Sequence, residues 1–224
     1  MKYVLSIFVI CVMVISAQAG TFKDNFNDGN LDGWQKMEGI VGGSEWKVED
    51  GILKSSCQDT WSELLIGEPE WRNYTFEYDA KMLQTSNPLY AMCAVLRDSW
   101  KNSTETAILS GLSSWQGKNA WLQVWFNDVN LKEAKKGFDF QLNQWYHFKH
   151  IANENNFELY IDGERLLSLS DSTITKGRLG LDIFFGCVVY FDNVVITGND
   201  VRDNLSAVSR QGKLATSWGQ MKSQ

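Results

Sequence analysis

The sequence predicts an all-β protein built as a sandwich of two antiparallel sheets. Strand-like segments recur about every ten to fifteen residues, and Gly, Asn and Asp separate them. No segment carries a long apolar period of 3.6 residues, so helices should be few and short. Asp50-Gly51 and Asp162-Gly163 each lie between two strand-like runs, and this pair tolerates the positive φ angles of a type I′ hairpin turn. Many short strands with such turns are typical of a sandwich or barrel.

The predicted strands follow one another through most of the chain. The two Asp-Gly turns fix two of their hairpins, and alternating or continuous apolar residues mark the other segments. In order, the predicted strands lie near residues 20–25, 46–49, 52–56, 62–66, 74–83, 89–97, 106–112, 121–126, 145–151, 157–161, 165–169, 178–185 and 188–197.

The N-terminus has the three parts of a secretory signal. Lys2 supplies a positive charge, residues 4–16 are apolar, and Ala17-Gln18-Ala19 fits the small-x-small cleavage pattern. The apolar run is shorter than the ~20 residues of a membrane span. The sequence therefore predicts a signal peptide at 1–19, a sandwich at 20–198 and a polar tail at 199–224. The protein would be secreted, or periplasmic or extracellular. The tail is either disordered or a docking segment that uses Trp218.

Charge and cysteine content narrow the possible partners. The formal net charge is −6, which argues against nucleic acid or an anionic membrane as the partner. Cys57, Cys93 and Cys187 remain after signal cleavage, and none of them shows a CxxC motif or the Cys/His spacing of a metal site. Export makes a disulfide possible, but buried core thiols are the simpler expectation.

Several motifs resemble known jelly-roll families. Phe22-Lys-Asp-Asn-Phe26 followed by Gly33-Trp34 resembles the opening of concanavalin A-like domains. Trp46-Lys-Val-Glu-Asp-Gly-Ile-Leu53 is similar to a hairpin of the 3-keto-disaccharide hydrolase branch. Trp145-Tyr-His-Phe148, with Glu158-Leu-Tyr-Ile-Asp-Gly163, is similar to a laminin-G-like signature. The resemblance spans about residues 21–197 and implies a two-sheet jelly-roll sandwich, a fold that hosts lectins, adhesion modules and glycosidases.

The segment from Trp121 to Phe126 suggests a ligand-binding face. Side chains alternate along a strand, so Leu122, Val124 and Phe126 should face the core while the other three residues face away. Two indoles with an amide between them can stack on a sugar ring and bind its hydroxyls. The alternative is that both faces are buried. The predicted ligand-binding residues are Trp121, Gln123 and Trp125, with Arg97, Tyr90, Trp100 and Trp115 as further candidates. The alternatives are a capping salt bridge for Arg97 and packing within the loops for Trp100 and Trp115.

Two carboxylates on one strand are the main feature of the sequence that could indicate catalysis. Glu77 and Asp79 share one strand face and begin like the Glu-x-Asp-x-x-Glu pattern of laminarinase-type glycosidases, but the sixth position is Met82. The 3-keto-disaccharide branch tends to carry a characteristic strand motif, and this sequence has only the terminal arginine of that motif, Arg97. If the protein is an enzyme, the catalytic candidates are Glu77, Asp79 and Arg97. The alternative for the two carboxylates is a solvated outer face.

The two histidines and two aspartates complete the candidate list. His147 and His150 are three residues apart on a strand, so they should lie on opposite faces and cannot form a dyad. Asp24 and Asp192 fall in the first and last strands, where the resemblance implies a structural calcium ion. The alternative is that both aspartates bond to turns and strand ends.

Taken together, these features favour an exported, lectin-like sandwich that binds an oligo- or polysaccharide. A glycan-active hydrolase of the 3-keto-disaccharide type and a laminin-G-like adhesion module that binds protein are the alternatives. The sequence predicts no oligomeric state.

Overall fold

The computed structural model describes residues 19–37, 44–58, 60–99 and 104–202. These residues form strands and turns, with no helix in the described ranges. The predictions for the signal peptide up to residue 18, for Trp100 and for the tail from residue 203 lie outside the described residues.

Fifteen strands follow one another along the described chain. They are β1 (Gly20–Asp24), β2 (Gln35–Lys36), β3 (Glu45–Glu49), β4 (Ile52–Ser56), β5 (Trp61–Ile66), β6 (Tyr74–Thr85), β7 (Ala91–Asp98), β8 (Thr106–Ser113), β9 (Asn119–Phe126), β10 (Val129–Gly137), β11 (Tyr146–Asn153), β12 (Asn156–Ile161), β13 (Glu164–Ser170), β14 (Arg178–Phe184) and β15 (Cys187–Gly198).

The strands form two antiparallel sheets. The eight-stranded sheet has the order β13-β12-β11-β6-β15-β4-β3, and β1 pairs with β15 beside this path. The seven-stranded sheet has the order β10-β9-β8-β7-β14-β5-β2. The chain crosses between the sheets repeatedly, for example from β4 to β5 and back from β14 to β15. The predicted two-sheet sandwich is confirmed.

The core lies between the sheets and is rich in aromatic rings. Tyr78 and Phe148, on neighbouring strands, stack with ring centroids 5.0 Å apart, and both are fully buried. Burial of each such ring contributes about 1.5–3 kcal/mol. His150 lies among them and bonds to the hydroxyls of Tyr78 (3.2 Å) and Ser110 (3.1 Å). Burial lowers the pKa of His150 to about 3, so the imidazole is neutral.

Local turn chemistry explains the hairpins. Asp50 and Gly51 have φ angles of 56° and 72°, and Asp162 and Gly163 have 49° and 83°, which confirms both predicted turns. A third turn of this kind, at Asn127 (51°) and Asp128 (61°), was not predicted. The strand that follows it, β10, was also missed, together with the two-residue β2. Almost all of β10 is exposed and polar, so it lacks the alternation that marks a half-buried strand.

Candidate functional site

A groove of about 450 Å³ runs over the outer face of the seven-stranded sheet. Met92, Ala94 and Leu96 of β7 point into the core, so Ala91 and its alternate neighbours point outward. Side chains alternate in the same way along the adjoining strands, so their outward-facing residues line the groove together with residues of the neighbouring loops. They are Trp61, Tyr90, Ala91, Glu105, Leu109, Ser113, Trp115, Asn119, Trp121, Gln123, Trp125, Asn130, Glu133, Lys135, Phe184 and Phe185.

Five of the predicted ligand-binding residues meet in this groove: Tyr90, Trp115, Trp121, Gln123 and Trp125. The alternation of β9 accounts for three of them. Leu122 and Val124 are fully buried on the core side, as predicted. The prediction that Phe126 belongs to the core is wrong, because this last residue of β9 leads into the turn and is 37% exposed.

Hydrogen bonds hold the polar and aromatic side chains of β9 in place. Trp125 Nε1 donates to Gln123 Oε1 (2.9 Å), and Gln123 Nε2 donates to Glu133 on β10. Trp121 is more enclosed, with 6% of its surface exposed, and its ring meets Phe184 edge-on at 6.3 Å. Trp121 is thus buried at the groove wall, whereas Trp125 is half-buried, and ligand binding by this face stays a prediction.

A glycine lies beside Trp121 in the sheet. Trp121 pairs across the strands with Gly111, and Gly111 pairs with Cys93. A Cβ atom at Gly111 would overlap the Cβ of Cys93 and the carbonyl of Met92. Only glycine therefore fits at this point of the sheet.

The cross-strand row that begins at Trp121 continues to two buried carboxyl groups. Cys93 pairs with Asp182 on β14, and Asp182 pairs with Glu63 on β5. Asp182 is 0% and Glu63 is 1% exposed. Asp182 Oδ1 and Glu63 Oε2 have no hydrogen-bond partner among the described residues. Cys93 Sγ lies 3.8 Å from Asp182 Oδ2 and donates a weak bond.

Electrostatics make this pair of carboxyls unusual. Burial raises the pKa of both Glu63 and Asp182 well above the ordinary range. Nearby charges add to this effect, from Asp98 and Glu105 on Glu63 and from Glu63 and Glu105 on Asp182. Glu105, which lines the groove, has its pKa raised to about 7 by burial and by the nearby charges of Asp98 and Asp128. Proton-holding carboxyl groups therefore lie in and beside the groove at neutral pH.

Glu63 and Asp182 were not predicted as site residues from the sequence. Each is a single acidic residue in an apolar strand, in Trp61-Ser-Glu-Leu-Leu-Ile66 and in Arg178-Leu-Gly-Leu-Asp-Ile-Phe184. An acidic residue alone in an apolar strand is the feature of the sequence that could have indicated a buried carboxyl. Their pairing, 119 residues apart in sequence, depends on the register of β5 against β14.

Glu77 and Asp79 lie elsewhere, on the exposed face of the eight-stranded sheet. His147 bridges them, with Nδ1 at 2.7 Å from Asp79 Oδ1 and Nε2 at 3.3 Å from Glu77 Oε2. Asn193 Nδ2 donates to the other Asp79 oxygen at 2.8 Å. His147 is exposed and His150 is buried, which confirms that the two histidines lie on opposite faces.

Arg97 joins neither the groove nor the Glu77–Asp79 pair. It is 1% exposed, and its guanidinium donates to the carbonyls of Arg72, Ile174 and Glu154 at 2.6–3.1 Å. The guanidinium also lies over the Phe157 ring, 4.7 Å from its centroid. The structure thus corrects the interpretation of Arg97 as a ligand-binding or catalytic residue: it holds three loop segments together.

Asp24 and Asp192 are engaged in local hydrogen bonds. Asp24 accepts from Phe26 N and Trp34 Nε1, both at 2.8 Å, and Asp192 accepts from Asn193 N at 2.7 Å. The described part of the chain holds no cluster of three or more His, Cys, Asp or Glu side chains able to bind a metal ion. The two aspartates fit the hydrogen-bonding alternative better than a calcium site, and calcium binding stays a prediction.

The chain matches a known family, and its fold matches solved structures. The model of a family described as a 3-keto-alpha-glucoside-1,2-lyase-like domain matches residues 21–197. Among curated proteins, none matches the sequence. No helix in the described ranges is long and apolar enough to cross a membrane.

Solved structures share the fold at low sequence identity. The carbohydrate-binding module CBM66 from Bacillus subtilis is 20% identical, with a TM-score of 0.62 over 74% of this chain and 96% of that one. The β-glucanase of Bacillus licheniformis is 13% identical, with a TM-score of 0.59 over 80% and 97%. A lichenase from a mouse hindgut metagenome is 14% identical, with a TM-score of 0.61 over 80% and 99%. At these identities the likeness shows the fold alone.

Proposed function

We propose, since the chain belongs to the family of 3-keto-alpha-glucoside-1,2-lyase-like domains, that it is an exported protein that recognises an oligo- or polysaccharide in the groove of its seven-stranded sheet. Aromatic side chains and a few polar groups face this groove together, which is the composition that binds sugar rings and their hydroxyls. The similar structures named as a carbohydrate-binding module and as glucanases support the same class of ligand.

Two polar atoms of the groove support a ligand with hydroxyl groups. Trp121 Nε1 and Asn119 Oδ1 are buried and lack a hydrogen-bond partner among the described residues. An unpaired buried polar atom costs about 1–3 kcal/mol, so a sugar hydroxyl that pairs with either atom recovers part of that cost. The groove's volume of about 450 Å³ also falls within the usual range for small-ligand sites.

Removal of exposed groove indoles tests the proposal. Trp115 is 50% exposed and Trp125 is half-buried, so truncation of either should leave the fold intact. We expect Trp115→Ala with Trp125→Ala to weaken binding on a polysaccharide panel by about 10- to 100-fold. Trp145→Ala is the matched control, because Trp145 is 38% exposed but contacts Lys81 of the other sheet. Unchanged retention of the double variant, or an equal loss in the control, would refute the proposal.

A glycan-active enzyme is the second candidate, and the Glu63–Asp182 pair favours it. Buried carboxyls that resist ionisation are characteristic of acid–base sites. On a 3-keto-glucoside, the member of the pair that is ionised when substrate is bound would take the C2 proton that the ketone acidifies. The C1–O bond would break as a C1=C2 double bond forms, and the neutral partner would protonate the departing oxygen. Both carboxyls are buried, so substrate access requires the side chains that cover them to move.

Two variants separate the possible catalytic pairs. Turnover of a 3-keto-α-glucoside and of ordinary disaccharides is measured for Asp182→Asn and for Asp79→Asn. Loss of turnover in Asp182→Asn alone supports the buried pair. Loss in Asp79→Asn alone supports the exposed pair that the sequence suggested. Absence of turnover in the unchanged protein, with retained glycan binding, leaves recognition as the function. No observation among the described residues favours the adhesion alternative.

A further inference from the structure

Two crossovers between the sheets run side by side. One leaves β4 for β5, and the other leaves β14 for β15. Backbone bonds join them: Cys57 N donates to Cys187 O at 3.1 Å, Phe185 N donates to Thr60 O at 2.7 Å, and Gly186 N donates to Gln58 O. The two segments are therefore held together at Cys57 and Cys187, the residues next to the Ser56–Val188 pair of the eight-stranded sheet.

Two thiols face each other at this point. Cys57 Sγ and Cys187 Sγ are 3.9 Å apart, and both side chains are buried as free thiols. Neighbouring residues of antiparallel strands have Cα atoms about 4.5–5.5 Å apart, within the range of about 4.4–6.8 Å that a disulfide spans. The two sulfurs must approach by about 1.9 Å to reach the length of a disulfide bond. Cys93, the third described cysteine, instead contacts Asp182 in the other sheet.

We propose that Cys57 and Cys187 are a redox-active pair that closes to a disulfide in an oxidising compartment, which ties the two crossovers together covalently. The oxidant is a disulfide, either a small molecule or an oxidised thiol protein. The Cys57 thiolate attacks one sulfur of that disulfide and displaces a thiolate. Cys187 then loses its proton and attacks the Cys57 sulfur of the mixed disulfide. Two protein thiols are oxidised, and one external disulfide is reduced to two thiols.

The two cysteines differ in a way that sets this order. Cys57 is 5% exposed and Cys187 is 0% exposed, so an external disulfide reaches Cys57 first. The hydrogen bond from the Cys187 thiol lowers the pKa of Cys57 to about 7, whereas the pKa of Cys187 is raised by the same bond and by burial. A thiol whose pKa lies near the ambient pH is an efficient attacking group.

The bond would act on the end of the groove. Trp61 follows the first crossover, while Phe184 and Phe185 border the second, and all three line the groove. A covalent tie would limit their separation. It would also close a chain segment of more than one hundred residues, for which we expect a rise in Tm of about 10–20 °C.

Peptide mapping of the folded protein tests the inference. The full chain is equilibrated with reduced and oxidised glutathione at about pH 8 without denaturant, trapped with an alkylating agent and digested. We expect one cross-linked peptide that joins Cys57 to Cys187 and weighs two hydrogens less than its reduced parts. Cys57→Ala and Cys187→Ala should each abolish the cross-link and the difference in Tm between oxidised and reduced protein. Cys93→Ala should retain both.

Three outcomes would overturn the proposal. They are a native protein that keeps both thiols reduced throughout the glutathione series, a cross-link that forms only in urea, and a cross-link that involves Cys93 as often as Cys57. None of these outcomes bears on glycan binding, so the groove proposal is tested separately.

Discussion

Replacement of Arg97 distinguishes a structural role from a ligand-binding role. In Arg97→Met, an unbranched apolar side chain of comparable length keeps the contact with Phe157 but loses every hydrogen bond of the guanidinium. The Ile174 carbonyl is buried and would lose its 2.7 Å bond. The carbonyls of Arg72 and Glu154 belong to exposed residues, so water can replace the lost donor there.

The expected loss follows from these three carbonyls. A buried carbonyl left without a partner costs about 1–3 kcal/mol, and a replaceable hydrogen bond about 0.5–1.5 kcal/mol. Relief of the buried charge offsets part of the sum, because burial lowers the pKa of Arg97 and so disfavours its charged form. We expect a net fall of about 3 kcal/mol in the free energy of unfolding, or about 6–12 °C in Tm.

Urea denaturation, followed by tryptophan fluorescence, gives this free energy for the unchanged protein, Arg97→Met and Arg97→Lys. Lysine keeps the charge but cannot reach three carbonyls with a planar fork, so it should fall between the other two. If Arg97→Met lost less than about 1 kcal/mol and yet lost glycan binding, the structural assignment would be refuted and the sequence-based one restored.

Three further predictions concern pH and packing. Burial opposes protonation of His147, but hydrogen bonds to Asp79 and Glu77 outweigh burial and raise the pKa of His147. The contribution of His147 to the free energy of unfolding is therefore complete below about pH 6.5 and is lost as the pH rises through the pKa of the folded state. An NMR titration should show this raised pKa, and Asp79→Asn should lower it. Glu63 and Asp182 have raised pKa values, so both favour the folded state at low pH and oppose it as the pH rises above about 4. The urea concentration at the unfolding midpoint should therefore fall less between about pH 4 and 8 in Asp182→Asn than in the unchanged protein. Gly111→Ala should lower the free energy of unfolding by about 1–3 kcal/mol through overlap with its neighbours, whereas Gly137→Ala, which meets no atom within 4 Å, should leave urea stability nearly unchanged.

The parts of the fold that local chemistry decides were predictable from the sequence. Asp50-Gly51 and Asp162-Gly163 adopt the positive φ angles that the turn requires, whatever the rest of the chain does. The alternation of β9 places Trp121, Gln123 and Trp125 on one face for an equally local reason.

The parts that depend on distant register were not predictable. Glu63 and Asp182 become neighbours only when β5 pairs with β14, and no local pattern states that pairing. Arg97, the last residue but one of β7, has a φ of 51°, and this irregularity of the backbone, which the residue pattern does not show, accompanies a side chain directed into the interior. The strand β10 was missed because its three lysines and one glutamate follow no alternation of buried and exposed residues.

The polar character of β10 has a consequence for the protein in a crowded solution. This strand is the open edge of the seven-stranded sheet, where another copy could add a strand of its own. Lys132, Lys135 and Lys136 lie along it, and the register shift between Asn130 and Lys132 interrupts the ladder that a new strand would extend. Charge repulsion and an irregular edge both discourage the growth of a sheet from molecule to molecule. Because Lys135 and Glu133 also line the groove, substitutions meant to change ligand preference there would alter the protein's resistance to aggregation at the same time.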